Sequence, residues 1–167
     1  MPIAILLHNI RSAHNVGSIF RTADAAGVAK IYLCGYTPVP IDRFGRPQKE
    51  IAKTALGAER SLPWEYFKSP VPLISKLSAG GGSSSGGKKQ KWGIVGVEQD
   101  RRSRDYRKYR VKAPTLFIFG NEVRGLSHEL RAKCDVLIEI PMHGKKESLN
   151  VSVAAGIVLF QMLANSH

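Results

Sequence analysis

Apolar runs bounded by polar or turn-forming residues predict the strands of this chain. Five such runs stand out, at residues 3–7, 28–36, 91–99, 115–119 and 135–142. The run at 115–119 is almost continuously apolar, which is typical of a strand buried on both faces of a parallel sheet. The last run ends at Pro141, which cannot donate to a strand ladder. The pattern therefore predicts a sheet of five or six strands.

Apolar residues at helical spacing alternate with these runs. They predict one helix capped by Asn15 and stopped by Gly27, two at residues 49–58 and 70–78, one after Ser127, and one at 151–164. Strands that alternate with helices in this way indicate an α/β fold with a mostly parallel sheet flanked by helices.

The C-terminal stretch combines a buried strand, a polar loop and an apolar helix. Ser148 and Asn150, at the end of the loop, are residue types that cap helices. The helix at 151–164 is apolar on nearly every side, so it must be covered all round. A polar loop between two buried elements is a favourable place to bind a ligand.

Charge narrows the class of partner. The chain has 167 residues, with 25 Lys and Arg against 13 Asp and Glu, which gives a net charge of +12. This length predicts a single domain. The excess of cations favours a polyanionic partner, of which nucleic acid is the commonest in solution. A basic surface without any partner is also compatible with this charge.

Cysteine and histidine patterns exclude other classes. Cys34 and Cys134 are too few and too far apart to suggest a disulfide framework, and the histidines show no metal-ligand spacing, so no metal is predicted. No apolar run reaches the roughly 18 residues needed to cross a bilayer. We therefore expect a cytoplasmic protein without a membrane partner.

A Gly/Ser-rich stretch at about 79–90 predicts a flexible connector. It has neither a preceding strand nor a following Gly-Lys-Ser/Thr, which excludes a phosphate-binding P-loop.

Two cation-rich segments are candidates for RNA contacts. Residues 37–48 contain three prolines and an aromatic residue among arginines, and residues 101–112 contain seven cations, one acid and two tyrosines. Such compositions suit phosphates and stacked bases. A solvated surface loop and a solvated charge run are the alternatives.

Three segments together resemble a known family. They are Asn15-Val-Gly-Ser-Ile-Phe-Arg-Thr-Ala-Asp24, Phe119-Gly-Asn-Glu-Val-Arg-Gly-Leu126, and Ile140-Pro-Met142 followed by Ser148-Leu-Asn-Val-Ser152. In this order they resemble motifs 1, 2 and 3 of the SpoU (TrmH-like) RNA ribose 2′-O-methyltransferases of the SPOUT class. The resemblance covers nearly the whole chain.

The resemblance implies S-adenosylmethionine as methyl donor, a homodimer, and a single SPOUT domain over residues 1–167. It also implies a deep trefoil knot, made where the C-terminal segment threads through a loop. Composition and periodicity alone would have predicted an open sheet without a knot. The cofactor-binding residues that it implies are Val97, Glu98, Gly120, Ile140, Met142, Ser148 and Leu149.

The motif 1 arginine, essential in the family, is Arg21 here. Helical geometry places Arg21 about 140° from Val16, on the polar side of its helix. A guanidinium stays protonated and is therefore not a proton acceptor. We hypothesise that Arg21 grips the phosphate next to the target ribose in a forked contact, and that this phosphate or water accepts the 2′-hydroxyl proton.

The same match implies Asn15, Glu122, Ser148 and Asn150 as further catalytic residues. For Asn15, Ser148 and Asn150 the alternative is a helix cap, and for Glu122 it is a brace of the motif 2 turn. A non-catalytic RNA-binding protein on the same fold would require decay of these motif residues, which are all present. A SPOUT enzyme that methylates a base nitrogen is disfavoured by Arg21 and by the Ser-Leu-Asn of motif 3.

RNA is the implied substrate. With its bare catalytic domain, the chain looks more like the minimal family members that modify the wobble nucleotide of tRNA, so tRNA is favoured over rRNA. The candidate RNA-binding arginines are Arg11, Arg21, Arg43, Arg46, Arg101, Arg102, Arg104 and Arg107.

Overall fold

A computed structural model of the protein describes residues 1–83 and 89–165. Its strands are β1 (Ile3–His8), β2 (Lys30–Cys34), β3 (Trp64–Phe67), β4 (Gly82–Ser83), β5 (Lys89–Gln90), β6 (Gly93–Val97), β7 (Arg104–Asp105), β8 (Thr115–Phe119) and β9 (Val136–Glu139). Its helices are α1 (Ala13–Ala25), α2 (Lys49–Ala55), α3 (Ala58–Ser61), α4 (Val71–Ser78), α5 (His128–Lys133) and α6 (Val151–Ala164). A 3₁₀ turn spans Tyr106–Lys108.

Seven strands form one parallel sheet in the order β3, β2, β1, β8, β6, β9, β7. Along β1, Ile3, Ile5 and Leu7 enter one core, whereas Ala4 and Leu6 enter the core on the opposite face. Both faces are therefore covered, which explains the continuous apolar runs. The prediction of an α/β fold with a mostly parallel sheet is confirmed.

Helices cover both faces of the sheet, and each helical layer encloses its own core. Residues of α1, α2, α3 and α6 share the first core with Phe117 and Phe119 of β8. Residues of α4 and α5 share the second core with Leu116 and Ile118 of the same strand. Because the seven strands are parallel, their carboxyl ends all lie at one edge of the sheet, where ligands of such folds bind.

The start of α1 differs from the prediction. Ser12 caps the helix, because its side chain accepts a hydrogen bond from the backbone N–H of Asn15. Asn15 lies inside the first turn and is 9% exposed. Its side chain is therefore free of capping and available for contacts with other segments.

Other boundaries follow local backbone chemistry. The helix predicted at 49–58 breaks into α2 and α3, because Leu56 and Gly57 take positive φ values of 51° and 94°. Strands β3 and β7 were not predicted. β3 has only four residues with a glutamate among them, and β7 consists of two charged residues. Within the predicted connector, β4 pairs with β5, and residues 84–88 lie outside the described part of the chain.

The basic segment 101–112 is folded onto the sheet rather than standing free. Its β7 pairs with β9, and Tyr109 packs edge-on against Phe117 with ring centroids 6.1 Å apart. The ring of Tyr109 packs against the first core, so this tyrosine supports the fold of the segment, and contact of the segment with RNA stays a prediction.

Helix α6 packs against α1 and the 3₁₀ turn. The Nδ2 of Asn165, just beyond the helix, donates to the carbonyl oxygen of Tyr109 at 3.3 Å. The end of α6 thus lies against the segment that connects β6 to β8. The trefoil knot itself stays a prediction.

The two cysteines are free thiols. Burial raises the pKa of Cys34 and of Cys134 to about 12, so both are protonated near neutral pH. Over the described residues, no group of His, Cys, Asp and Glu has the size and arrangement to hold a metal ion, and no helix has the length and apolar character to cross a membrane.

Candidate functional site

A cavity of about 320 Å³ opens at the carboxyl ends of the neighbouring strands β8, β6 and β9. The start of α6 closes its remaining side. All seven residues predicted to bind the cofactor line it, namely Val97, Glu98, Gly120, Ile140, Met142, Ser148 and Leu149. The structure therefore brings these residues together, and their role in binding a cofactor stays a prediction.

The turn after β8 folds tightly on itself. The N–H of Gly125 donates to the carbonyl oxygen of Asn121 at 2.8 Å, and Gly125 has a φ of 66°. A Cβ at Gly120 would lie 2.5 Å from the carbonyl carbon of Gly125, which is closer than real Cβ contacts allow. Glycine at both positions therefore lets this turn present its backbone to the cavity.

Glu98 ties this turn to the end of β6. Its carboxylate accepts hydrogen bonds from the backbone N–H groups of Leu126, at 2.5 Å, and Gln99, at 3.1 Å. Glu98 thus braces the cavity wall as well as lining it.

Glu122 clamps the start of α1. Its carboxylate accepts from the backbone N–H of Arg11 at 3.0 Å, from that of Ser12 at 3.1 Å, and from the Nδ2 of Asn15 at 3.3 Å. Burial by itself raises the pKa of Glu122, but these hydrogen bonds together hold the pKa below its ordinary value of 4.5. These contacts support a bracing role for Glu122. Its hydrogen bond with Asn15 joins motif 2 to motif 1.

Asn150 extends the cluster to the third motif. Its Nδ2 donates to the Oδ1 of Asn15 at 3.2 Å, and its own Oδ1 accepts from the backbone N–H of Ser152 at 2.8 Å, which caps α6. Asn150, Asn15 and Glu122 therefore form one hydrogen-bonded chain. Ser148 stays exposed in the cavity wall and does not cap the helix.

Arg21 is placed apart from this cluster. It is exposed on α1, about 120° around the helix from Asn15, and does not line the cavity. The next residue, Thr22, faces Gly156 of α6, where an added Cβ would lie 3.5 Å from the Thr22 methyl group. Within one chain, the structure does not bring Arg21 to the other predicted catalytic residues.

A second cleft adjoins the cavity and shares Asn121, Glu122 and Val123 with it. Arg11, Tyr36 and Arg124 also line this cleft.

A hydrogen-bonded network holds one wall of the second cleft. Asn121 donates from Nδ2 to the Tyr36 hydroxyl and to the Asn9 carbonyl oxygen, both at 3.0 Å. Asn9, at a φ of 55°, accepts from the Tyr36 N–H. Sequence reasoning missed Asn9, Tyr36 and Asn121, although each lies at or just after the end of a predicted strand, which is the signal that could have found them.

Comparison with known proteins assigns the chain. It matches the SpoU rRNA Methylase family over residues 2–160. The chain belongs to this family. It is 31% identical over 167 residues to a putative TrmH family tRNA/rRNA methyltransferase of Staphylococcus haemolyticus, covering 100% of this chain and 60% of that protein. It is 32% identical over 163 residues to the 23S rRNA (guanosine-2′-O-)-methyltransferase RlmB of Pseudomonas aeruginosa, covering 98% and 59%.

Solved structures of SpoU enzymes have the same fold as this SpoU family chain. The methyltransferase AviRb of Streptomyces viridochromogenes, in complex with AdoMet, superposes with a TM-score of 0.80 at 29% identity, covering 98% of this chain and 57% of that one. The TrmH/SpoU tRNA modifying enzyme of A. aeolicus gives 0.80 at 27% identity, covering 98% and 74%. The chain spans about 60% of the length of the curated relatives described above.

The predicted RNA-binding arginines of this SpoU family chain fall into two groups. Arg46 is paired with Asp42 at 2.8 Å, Arg102 with Asp100 at 3.1 Å, and Arg107 with Asp105 at 2.6 Å. Hydrogen bonding to Arg107 lowers the pKa of Asp105 to about 2, so this carboxylate stays charged beside its partner. The remaining five have exposed side chains and form no ion pair with a carboxylate of residues 1–83 and 89–165; they are Arg11, Arg21, Arg43, Arg101 and Arg104.

We expect Glu122→Gln to weaken this SpoU family fold in a pH-dependent way. The carboxylate has a lowered pKa in the folded protein, so its contribution is complete above pH 4.5 and is lost as the pH falls through the folded value. Near neutral pH the variant should lose about 1.5–3 kcal/mol of unfolding free energy, the worth of hydrogen bonds to a charged acceptor. Urea unfolding of the variant and the wild type at pH 7 and pH 3.5 measures this loss of unfolding free energy.

The exposed Glu129→Gln variant is the matched control and should unfold like the wild type at both pH values. A deficit of Glu122→Gln that is equally large at the two pH values would contradict the clamp as a charged acceptor.

Proposed function

We propose that the protein transfers a methyl group from S-adenosylmethionine to a ribose 2′-hydroxyl of RNA. The observation that carries the proposal is the hydrogen-bonded chain of Asn150, Asn15 and Glu122. It joins the three motif segments beside a cavity lined by all seven predicted cofactor residues.

The cavity suits this cofactor in size and charge. Small-molecule sites start at about 300 Å³, and four carboxylates line this cavity in a chain of net charge +12, those of Glu98, Glu122, Glu139 and Glu147. A cationic ligand is favoured there and a phosphate is not. The backbone of the turn at Gly120 and the side chains of Ile140, Met142 and Leu149 would hold the cofactor. When bound, S-adenosylmethionine supplies an electrophilic methyl group on sulfur.

The adjoining cleft suits the nucleotide to be methylated. It shares three residues with the cavity, so a ligand in the cleft lies next to a ligand in the cavity. Arg11 and Arg124 supply positive charge, and the exposed ring of Tyr36 supplies a flat apolar surface. Arg21, which lies apart from this cleft within one chain, contacts the neighbouring phosphate from a second copy of the chain, and that phosphate or water takes the hydroxyl proton.

Transfer RNA is the proposed substrate, and the solved TrmH structure that the chain resembles is a tRNA modifying enzyme. The alternative is ribosomal RNA, favoured by the similarity to RlmB. An RNA substrate also fits the predicted cytoplasmic location.

Labelled S-adenosylmethionine offered with separate pools of unmodified tRNA and rRNA tests the function. We expect label in the tRNA pool and, after nuclease digestion, resistance at one phosphodiester, because a methylated ribose blocks cleavage next to it. Label only in rRNA would establish the alternative. Calorimetry that detects no cofactor binding would favour a non-catalytic RNA-binding protein.

We further propose a homodimer formed through α6. Val153 and Phe160 are each 50% exposed, and with half-buried Ile157 they form a stripe at helical spacing. Within a single chain the helix is therefore covered on one side only, and a second copy that buries the stripe would supply the cover all round that its apolar pattern predicts.

Replacing Phe160 by Glu should convert the dimer to a monomer, because a carboxylate cannot be buried in an apolar interface without a partner. Light scattering after size exclusion measures the mass. Leu56→Glu, at a residue 65% exposed and off the stripe, should remain dimeric. A Phe160→Glu protein that also remains dimeric would place the interface elsewhere.

A further inference from the structure

The loop between β2 and α2 carries a large aromatic side chain that the fold does not use. Phe44 is 66% exposed and packs against neither hydrophobic core. Exposing a ring gains nothing for stability, since burial out of water is what stabilises apolar groups. Exposure of a single apolar side chain is common and does not by itself indicate binding, so the case for Phe44 depends on how the loop holds the ring and on what surrounds it.

The loop is ordered around Asp42, so the ring is held in place. The Asp42 carboxylate accepts hydrogen bonds from the backbone N–H groups of Phe44, at 2.8 Å, and Arg46, at 3.0 Å. Ile41 bridges Pro47 across the base of the loop, and Gly45 takes a φ of 75° at its tip. The loop is a preformed hairpin that projects Phe44, so binding would cost little ordering entropy.

Two guanidinium groups lie against the same ring. Their central carbons are 4.8 Å (Arg43) and 4.9 Å (Arg46) from the ring centroid of Phe44. Arg46 is also paired with Asp42 through its Nε at 2.8 Å. Arg43 forms no ion pair with a carboxylate of the described residues. One cation is therefore fixed and the other can turn toward a ligand.

Both ends of the loop are anchored beside the candidate site. Thr37, at its start, accepts from the Ile10 N–H at 3.1 Å and donates to the Leu7 carbonyl oxygen at 3.1 Å. Thr54 of α2, beyond its end, donates to the carbonyl oxygen of His14 at 2.9 Å. The hairpin thus leaves the sheet at the edge where the cavity and the cleft open.

We propose that Phe44 is a stacking platform for an unpaired base of single-stranded RNA, with Arg43 and Arg46 contacting the flanking phosphates. The inference rests on the proposed function and names the form of RNA that the protein grips outside its catalytic cleft. A π face beside cations matches stacked bases with their phosphates, and such stacking tolerates any base. A membrane or an apolar protein surface would call for a wider apolar patch than one ring.

Binding of fluorescein-labelled, unstructured twelve-nucleotide RNA, followed by fluorescence anisotropy, tests the proposal. We expect Phe44→Ala to weaken affinity about tenfold, within the range for loss of one base–aromatic stack. Phe44→Trp should retain affinity, because it keeps a π face. Leu56→Ala removes a side chain of nearly equal exposure, 65%, outside the hairpin, and should bind like the wild type.

Salt dependence separates the ring from its cations. Each phosphate contact on a single strand contributes about 0.7 to the slope of log affinity against log salt. We expect Arg43→Gln to reduce the slope by about this amount and Phe44→Ala to leave it unchanged. In RNA that contains 2-aminopurine, the fluorescence of this base should be quenched on binding to the wild type and to Phe44→Trp. Binding to Phe44→Leu should not quench it.

Equal RNA affinity of the wild type and Phe44→Ala would overturn the inference while leaving methyl transfer intact. Loss of binding to phosphatidylglycerol vesicles in Phe44→Ala, with RNA affinity unchanged, would assign the ring to a lipid surface and overturn it equally. A wild-type protein that binds cofactor but no RNA would overturn the proposed function together with the inference.

Discussion

Replacing Arg21 by alanine is expected to lower the turnover of RNA methyl transfer by about 10²- to 10³-fold, the usual cost of losing one charge-stabilising contact at a reacting centre. The side chain is exposed on α1 and lies outside the cavity, so cofactor affinity and unfolding temperature should not change. Transfer from labelled S-adenosylmethionine to the RNA pool measures turnover, and calorimetry measures cofactor affinity.

Arg21→Lys tests the forked contact. Lysine keeps the charge but loses the planar pair of donors, so we expect most of the loss to remain. Full turnover in this variant would rule the forked contact out and leave only a charge effect.

The distance of Arg21 from the cluster within one chain has a consequence for the dimer. Arg21 precedes Thr22, which packs on α6 next to the apolar stripe at Val153, Ile157 and Phe160. A partner that covers the stripe would bring its own α1 close, so we expect Arg21 to act at the partner's site. Mixed dimers of Arg21→Ala chains with chains of a cofactor-deficient variant should then regain activity, since one site per dimer would be complete. Mixed dimers as inactive as the two parents would place Arg21 at the site of its own chain.

Gly120→Ala is expected to abolish cofactor binding and to supply that deficient variant. The added methyl group would lie 2.5 Å from the carbonyl carbon and oxygen of Gly125 and 2.7 Å from the backbone nitrogen of Leu126. These are backbone atoms, which cannot rotate away, so the turn must open. We expect a loss of about 1–3 kcal/mol of stability, as for other overpacked sites, and no detectable binding by calorimetry.

Gly144→Ala is the matched control for this glycine. It lies in the loop before α6, where an added Cβ meets nothing within 4 Å. The variant should bind cofactor and unfold like the wild type. Unchanged cofactor affinity in Gly120→Ala would show that the cavity at this turn is not the cofactor site.

The pattern of apolar residues correctly predicted the strands and helices that are buried in the cores. Strand β8, apolar after Thr115, and helix α6 were placed with their observed boundaries, and Ser127 was correctly predicted as the cap of α5. The residues that the motif resemblance predicted to bind the cofactor all line a single cavity, since motif positions at strand ends converge at one edge of a parallel sheet.

Contacts between distant segments were not predictable in this way. Nothing local to Glu122 shows that it will accept from the backbone of Arg11, 111 residues away. Ser12 and Asn15 are both good capping types, and only the tertiary contact of Asn15 with Glu122 and Asn150 decides between them. The ion pairs of Arg102 and Arg107 with neighbouring aspartates were not predicted either. Composition gives the number of charges in a segment, but it does not show which of them pair.

The contact between Asn15 and Asn150 spans 135 residues, and β8 must pair with β1 after the chain has already built β2 and β3. Contacts of such long range close slowly during folding, since the loop entropy is lost before the contacts form. A chain still emerging from the ribosome therefore carries Arg21 long before it has the third motif segment. The hydrogen-bonded chain of Asn150, Asn15 and Glu122 can form only once the segment that leads into α6 has been made.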